Sequence, residues 1–289
     1  MKNLIIYFIF RIFTFFVNIL PKSVNKYFAR GFGKLAYFLT KSRRQIAKKN
    51  IKNALGKNMT DKEIDEMVKK VYENIGFMLV EFILLKKINK SNYENFINIK
   101  GYENFIKAMN EEKGVIIYSA HFGNWEWLAA FISLMGFPLN AIAQEQHNSY
   151  FDRYINDLRE EKGINVIKLG ISVRNAYNKL KKGECVFILG DQDARHKGWK
   201  LNFFSQPAST YHGVIQLAER TGALIVPTFL IRKEFTKHQL VFYPARKIEN
   251  GMDQKEKKKA LQKLNNLTEK VIKDHKNQWF WLHKRWKSY

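Results

Sequence analysis

The stretch that decides the fold is VIIYSAHFGNWEW, at residues 115–127. A short apolar run ends in small residues, a polar loop with a glycine follows, and an amphipathic segment comes after the loop. This order predicts a strand, a tight turn and a helix.

The predicted turn carries an imidazole at His121 and a carboxylate at Glu126, with Gly123 and Asn124 between them. If the two side chains meet, His121 takes a proton from an attacking hydroxyl while Glu126 holds the other ring nitrogen. No Ser or Cys lies directly beside either residue, so the pattern favours direct transfer onto a substrate hydroxyl without a covalent enzyme intermediate. In the structural alternative, Asn124 caps the helix and Glu126 complements the helix dipole. The spacing leaves both readings open.

Alternating short apolar runs and helical segments follow residue 100. This alternation predicts an α/β fold with a mainly parallel central sheet flanked by helices, in which sites gather at the carboxyl ends of strands. We predict strands at 96–99, 115–119, 141–143, 165–169, 185–189 and 224–229, and helices at 102–109, 125–134, 150–161, 173–180 and 211–220. Phe203 to Pro227 reads as a Pro-containing loop, a helix capped by Thr210, and a strand.

A second polar cluster, with Asp191 and Asp193, follows the predicted strand at 185–189. These carboxylates could orient an acceptor sugar, fix the active-site loop or pair with an arginine. A turn with solvated acids is the alternative. Arg159 and Arg174 lie on nearby predicted helices, and either guanidinium could clamp a phosphate; both could also be surface charge.

The N-terminal part of the chain predicts a membrane-associated helical region. Residues 4–20 are apolar apart from a few polar side chains that include Arg11, and a basic run follows. This run predicts an anchor with the rest of the chain on the cytoplasmic side, as a transmembrane helix or as a helix in the interface. A buried core helix is the alternative. We therefore divide the chain into an anchor helix at 1–22, a helical region at 23–95 and a core at 96–289.

The net charge is +24, from 50 Lys and Arg against 26 Asp and Glu. Such a surface attracts phosphates, anionic lipids or an acidic protein. Residues 24–55 interleave cations with aromatic residues, which favours contact with anionic lipid and leaves single-stranded nucleic acid as an alternative.

The only cysteine, Cys185, lies in an apolar run and is predicted to be a buried strand residue. No metal-ligand spacing is present, so no metal site is predicted.

Two charged helices frame the predicted α/β core. Thr60 and Glu63 form a capping-box pattern that opens a helix running to about residue 85. A second charged helix is predicted at 253–275. Three tryptophans among cations follow it at 279–286, a pattern typical of a membrane interface or a lid.

Several of these blocks together resemble one family, the late acyltransferases of lipid A biosynthesis, which are the lauroyl and myristoyl transferases within the lysophospholipid acyltransferase superfamily. The resemblance covers nearly the whole chain, and the His-x4-Glu block with DQD is its most specific part. One departure is Ser205-Gln206, where relatives often carry Gly or Ala at the first position. The matching stretches are AHFGNWEW at 120–127, the segment from Arg174 to KKG at 181–183, DQD at 191–193, FF-x-x-PA-x-T before Gly213, TGA-x-x-VP at 221–227 and the terminal QW-x-W-x-H-x-RW-K.

The resemblance implies transfer of an acyl group from an acyl thioester, on acyl carrier protein or acyl-CoA, to a hydroxyl of a phosphorylated glycolipid, the lipid A precursor. It implies a location at the cytoplasmic face of the inner membrane, without a cofactor or nucleic-acid partner. His121 is implied as the general base and Glu126 as its partner. Gly123, Asn124, Arg159, Arg174, Asp191 and Asp193 are implied to line the substrate site. Another glycolipid or phospholipid acceptor, or a basic non-catalytic binding protein, are the alternatives. The oxyanion donors would be loop amides near Gly123 or an arginine.

Overall fold

The structure is a computed structural model that describes residues 2–56, 59–168 and 172–289. Four helices precede the sheet, and α4 begins with the predicted capping box of Thr60 and Glu63. The helices are α1 Lys2–Ile19, α2 Lys22–Leu39, α3 Lys41–Leu55 and α4 Asp61–Leu84. The apolar residues of α4, among them Ile64, Val68 and Val71, are buried as the periodicity predicts.

The sheet has seven strands in the order β1-β9-β8-β2-β5-β3-β4. All neighbouring strands are parallel except β8 and β9, so the predicted α/β fold with a mainly parallel sheet is confirmed. The strands are β1 Ile97–Lys100, β2 Val115–Ser119, β3 Leu139–Ala143, β4 Ile164–Lys168, β5 Cys185–Leu189, β8 Leu224–Glu234 and β9 Lys237–Phe242. A separate antiparallel pair comprises β6 Trp199–Phe203 and β7 Gln206–Thr210.

Helices connect the parallel strands and cover both faces of the sheet. The ends predicted for α5 and α6 agree with the structure. The helices are α5 Tyr102–Met109, α6 Trp125–Leu134, α7 Ser149–Glu161, α8 Ser172–Lys181, α9 Gly213–Thr221 and α10 Gln254–Asp274. Residue 169, the last of the strand predicted at 165–169, lies outside the described residues.

Three sequence predictions near the sheet were wrong. Residues 203–210 are not a loop, because Phe204 and Ser205 adopt positive φ and turn the chain into the β6–β7 hairpin. Thr210 therefore ends β7, and His212 precedes α9 instead. Strand β9 was missed because its sequence, KHQLVF, begins with polar residues. Cys185 is buried on β5 as predicted, and burial raises the pKa of its thiol to about 12.

Helix α1 packs on the body of the protein along one face and exposes apolar side chains on the other. Tyr7 stacks on Tyr150 of α7, and Phe10 contacts Phe151. The opposite face exposes Leu4, Ile5, Phe8, Ile9, Ile12, Phe15, Phe16 and Ile19. In the described part of the chain, no helix combines the length and the apolar character needed to cross a bilayer. The transmembrane form of the predicted anchor is thus not found.

Two of the three C-terminal tryptophans lie in the core and not at a surface, and Trp286 is partly buried. Trp279 and Trp281 are fully buried, and their ring centroids are 4.6 Å apart. They pack beneath β6 and β7, where Trp279 contacts Phe203. The interpretation of these residues as a lid or membrane belt was therefore wrong for Trp279 and Trp281. Indole rings supply large apolar contact areas to a core wherever their N–H groups find an acceptor.

Helices α2 and α4 cross so closely that glycine is required at their contact. A Cβ atom on Gly33 would lie 2.4 Å from the carbonyl oxygen of Tyr72, and one on Gly76 would lie 2.1 Å from the carbonyl oxygen of Ala29. These glycines therefore set the distance between the helices.

We expect Gly33→Ala to lower the free energy of unfolding by about 1–3 kcal/mol, because the new methyl group forces the two backbones apart. Gly31→Ala is the matched control on α2, since its Cβ would meet nothing within 4 Å. That control should be neutral or stabilising by up to about 1 kcal/mol, because alanine favours the helix. Thermal or urea unfolding in detergent measures both, and equal effects of the two substitutions would contradict the close crossing.

Candidate active site

The His121 loop joins β2 to α6 at the carboxyl end of the sheet. Asn124 caps α6, because its Oδ1 accepts a hydrogen bond from the backbone N–H of Trp127 at 3.2 Å. Gly123 has φ +58°, and a Cβ there would lie 2.0 Å from the carbonyl oxygen of Leu230. Only glycine fits this turn, so Gly123 and Asn124 shape the loop that presents His121.

The carboxylate that contacts His121 belongs to Asp191. Strands β2 and β5 are parallel neighbours with Ser119 opposite Leu189, so His121 and Asp191 each lie two residues beyond a matched pair. The Oδ1 atom of Asp191 is 2.8 Å from Nδ1 of His121 and accepts the backbone N–H of His121 at 3.0 Å. This arrangement places the ring proton on Nδ1 and leaves Nε2 as the basic nitrogen.

Asp191 is held in its ionised form at a buried position. Burial disfavours the charge, but the His121 ring and the hydrogen bonds from His121 and Trp279 outweigh burial and lower the pKa of Asp191 below its ordinary value. The His121 side chain itself stays 21% exposed, so its ring remains accessible from outside the protein. The pair therefore combines an accessible imidazole with an ionised carboxylate.

Glu126 does not contact His121, which corrects the predicted pairing. Both of its oxygens accept hydrogen bonds from Arg159 on α7, at 2.9 Å from Nε and 2.7 Å from Nη2. The reason is geometric: Glu126 lies in the first turn of α6 and faces α7, while the sheet brings Asp191 to the imidazole. The adjacent Glu126 carboxylate raises the pKa of Arg159, although burial acts to lower it.

Arg159 is accordingly engaged within the protein. Its Nη1 donates to Asn156 at 3.2 Å, in addition to the two bonds to Glu126. The prediction that Arg159 is a free phosphate clamp is therefore not supported by its contacts. Arg174 lies exposed on α8, away from any ion pair among the described residues.

Three backbone amides of the loop, those of residues 121–123, donate hydrogen bonds within the protein. The N–H of Gly123 donates to the carbonyl oxygen of Gln278 at 2.9 Å, and the N–H of Phe122 donates to that of Ala120 at 2.7 Å. The N–H of His121 is taken by Asp191. The N–H groups of residues 121–123 are therefore occupied, and the assignment of the oxyanion donors to other loop amides or to an arginine stays a prediction.

Asp193 stabilises the loop after β5. Its N–H donates to Nε2 of His283 at 3.1 Å, and its Oδ2 accepts from the hydroxyl of Ser288 at 2.9 Å. Burial lowers the pKa of His283, so this ring is neutral and its Nε2 can accept the hydrogen bond. Asp193 thus ties the DQD loop to the C-terminal segment.

A buried ionic cluster supports the His121 loop from behind. Glu81 of α4 receives Nδ2 of Asn124 at 3.0 Å and two nitrogens of Arg232, at 3.0 Å and 2.6 Å. His238 approaches the same carboxylate at 3.2 Å. Burial opposes the charge of Glu81, yet Arg232 and His238 keep its pKa well below the ordinary value. This cluster fixes the start of α6.

Sequence reasoning missed Glu81, Trp279 and His283 as parts of this site. Glu81 falls on the apolar face of a predicted helix, where a buried carboxylate requires a partner. The sequence therefore indicated that Glu81 has a charged partner, but it did not identify Arg232, which is 151 positions away. The motif QW-x-W-x-H identified the C-terminal segment as part of the family resemblance, but it did not predict which residues this segment contacts. In the described ranges, no cluster of three His, Cys, Asp or Glu residues could hold a metal ion.

We expect the Glu126–Arg159 pair to show a coupling energy of about 1–3 kcal/mol in a double-mutant cycle of Glu126→Gln and Arg159→Gln, because both side chains are largely buried. The exposed pair Lys168–Glu145 is the control, with side-chain exposures of 63% and 62%. The same cycle there should give less than about 1 kcal/mol. Chemical denaturation measures both, and equal coupling energies would refute the distinction.

The chain is similar in sequence to several known proteins. The chain is 24% identical to the lipid A biosynthesis palmitoleoyltransferase of Escherichia coli strain K12 over 272 residues, which cover 93% of this chain and 87% of that protein. It is 27% identical to the lipid A biosynthesis lauroyltransferase of the same strain over 274 residues, with the same two shares. A phosphatidylinositol mannoside acyltransferase of Mycobacterium tuberculosis strain CDC 1551 is 26% identical over 120 residues, 40% of this chain and 38% of that protein.

The family comparison covers more of the chain than any of these relatives. A family model described as bacterial lipid A biosynthesis acyltransferase matches residues 1–288. This match spans the N-terminal helices, the His121–Asp191 pair and the C-terminal segment together. The chain therefore belongs to the bacterial lipid A biosynthesis acyltransferase family.

Proposed function

We propose that this enzyme transfers a fatty acyl group from an acyl carrier protein thioester to a hydroxyl of a phosphorylated lipid A precursor, with His121 as the general base. The observation that carries the proposal is the bond between Nδ1 of His121 and the buried carboxylate of Asp191. An imidazole oriented in this way has its Nε2 available for proton transfer.

The reaction follows from that tautomer. Nε2 takes the proton of the acceptor hydroxyl while the hydroxyl oxygen attacks the thioester carbonyl carbon. The tetrahedral intermediate collapses, the carbon–sulfur bond breaks, and the imidazolium returns the proton to the leaving thiolate. Asp191 stabilises the imidazolium between these steps, as a carboxylate does in other imidazole-based sites.

Glu126 has an indirect role in this proposal. Its two bonds to Arg159 join α6 to α7 beside the His121 loop. Loss of the Glu126 charge would leave the Arg159 guanidinium buried without a partner and would disturb that junction. Arg174, exposed on α8, is proposed to meet the phosphorylated acceptor together with other surface cations.

The choice of donor and acceptor is supported by charge. The net charge of +24 favours both an acidic carrier protein and a phosphorylated glycolipid. The family relation implies an acyl donor and a glycolipid acceptor. An acyl-CoA donor is the alternative, and purified enzyme supplied with either thioester separates the two.

A different glycolipid acceptor is the second candidate function. The observation in its favour is the partial likeness to a phosphatidylinositol mannoside acyltransferase. Mass spectrometry of the lipids from a deletion strain tests it, because unchanged acylation of lipid A together with a change in another glycolipid would favour this candidate.

We expect His121→Ala to lower the rate of acyl transfer by about 10²–10⁴-fold, because the general base is lost. Asp191→Asn should cause a loss of similar size, since the amide cannot stabilise the imidazolium. Asp61→Asn is the control, because the Asp61 side chain is 87% exposed at the start of α4, and it should retain most of the activity. Transfer from lauroyl-acyl carrier protein to a tetra-acylated precursor is the assay. Full activity of His121→Ala would refute the mechanism.

We also propose that the enzyme acts at the cytoplasmic face of the inner membrane, with α1 and α2 in contact with the bilayer. Helix α2 adds the exposed apolar residues Tyr27, Phe28, Leu35, Phe38 and Leu39 to those of α1. A cationic row at Lys22, Lys26, Arg30 and Lys34 recurs every fourth residue along α2. Apolar residues beside such a row are typical of an interfacial helix on anionic lipid.

We expect the double substitution Ile5→Ser and Ile9→Ser to weaken binding to vesicles containing phosphatidylglycerol by on the order of ten-fold or more, because apolar area that would enter the bilayer is lost. Val173→Ser is the control. Val173 is also an exposed apolar residue, at 51%, but it lies on α8 and not on the N-terminal helices. Flotation measures the bound fraction. Equal binding of the double variant and the parent would contradict the proposed contact.

A further inference from the structure

The C-terminal segment, defined here as residues 275–289, forms one wall of the candidate active site. The backbone N–H of Phe280 donates to the carbonyl oxygen of His121 at 2.9 Å, and Gln278 accepts the N–H of Gly123 at 2.9 Å. Phe122 and Trp279 form an antiparallel bridge between these two bonds. The segment thus pairs with the His121 loop as a short strand would.

Trp279 reaches from this segment to the carboxylate behind His121. Its Nε1 donates to Oδ2 of Asp191 at 2.7 Å, in a fully buried position. The other oxygen, Oδ1, receives both the backbone N–H and the ring Nδ1 of His121. Each oxygen of Asp191 therefore has a fixed donor, and rotation of the carboxylate would break at least one buried hydrogen bond.

The indole of Trp279 is itself held rigidly. Its ring centroid lies 4.6 Å from that of Trp281 and 5.6 Å from that of Phe203. Because the indole ring cannot rotate in this packing, its N–H has a fixed direction and restricts rotation of the carboxylate that accepts it. Hydrogen bonds to an ionised buried acceptor are also stronger than neutral ones.

We propose that Trp279 is a positioning residue for acyl transfer, which acts through Asp191 to hold His121 in its reactive tautomer and orientation. This inference rests on the proposed role of His121 as general base. Trp279 touches neither of the reacting groups. Its N–H keeps the negative charge of Asp191 in place while the imidazolium forms, so its contribution falls on the chemical step and not on substrate binding.

The test compares Trp279→Phe with Trp281→Phe. Both residues are fully buried neighbours in the same segment, but the indole N–H of Trp281 donates to the carbonyl oxygen of Lys276 and not to Asp191. We expect Trp279→Phe to lower kcat by about 10–100-fold with little change in KM, because one hydrogen bond to a charged group is lost. Trp281→Phe should change kcat by less than about three-fold. Equal losses of kcat in the two variants would overturn the proposal.

The pH profile gives a readout that lost packing alone would not move. The N–H of Trp279 favours the ionised form of Asp191, so its removal raises the pKa of that carboxyl group. The acid limb of the kcat profile should move to higher pH in Trp279→Phe and stay in place in Trp281→Phe. An unmoved acid limb in both variants would count against the proposal.

A double-mutant comparison separates this inference from the proposed function. In an Asp191→Asn background, Trp279→Phe should have little further effect on kcat if it acts through Asp191; a full additional loss would overturn the inference. If His121→Ala keeps its activity, the proposed function fails instead. Should Trp279→Phe not fold, site-specific replacement by benzothienylalanine keeps the fused-ring shape and puts a sulfur atom, which cannot donate a hydrogen bond, in place of the N–H. The same loss of kcat is then expected, and parental activity would overturn the proposal.

Discussion

The site depends on one buried carboxylate. Asp191 sits where β5 ends, beside the end of β2, and accepts hydrogen bonds from the backbone and ring of His121 and from the indole of Trp279. Removing a carboxylate from water is costly unless each oxygen is satisfied, and here three donors supply what water would. The parallel sheet brings the two strand ends together, and the hydrogen bonds of the carboxylate fix the position of the His121 ring.

Two further ion pairs give the loop its rigid surroundings. Glu81 with Arg232 fixes Asn124 and so the start of α6, while Glu126 with Arg159 joins α6 to α7. At these positions ion pairs hold neighbouring elements together, as apolar packing does elsewhere in the core. Each ion pair also requires a specific orientation of its two side chains. A loop held between such pairs keeps the His121 side chain in one place.

The sequence predicted six of the seven strands of the main sheet, the helices from α4 onward to within about two residues, and the two strand ends that carry His121 and Asp191. Those features follow from short-range periodicity and capping. It paired His121 with Glu126 because only separation along the chain was visible. The actual partner lies 70 positions away and is selected by the neighbour relation of β2 and β5. Trp279 looked like an interfacial residue for the same reason: its acceptor, 88 positions away, has no local signature.

These separations also bear on how the molecule reaches its active form. Contacts between distant positions carry the entropic cost of closing large loops, and they form late when local helices form early. The His121–Asp191–Trp279 arrangement joins three such distant segments, so it exists only once the sheet has assembled and the C-terminal segment has docked. The geometry of this arrangement is thereby tied to completion of the whole tertiary structure, and a partly folded chain would not hold the His121 ring against Asp191.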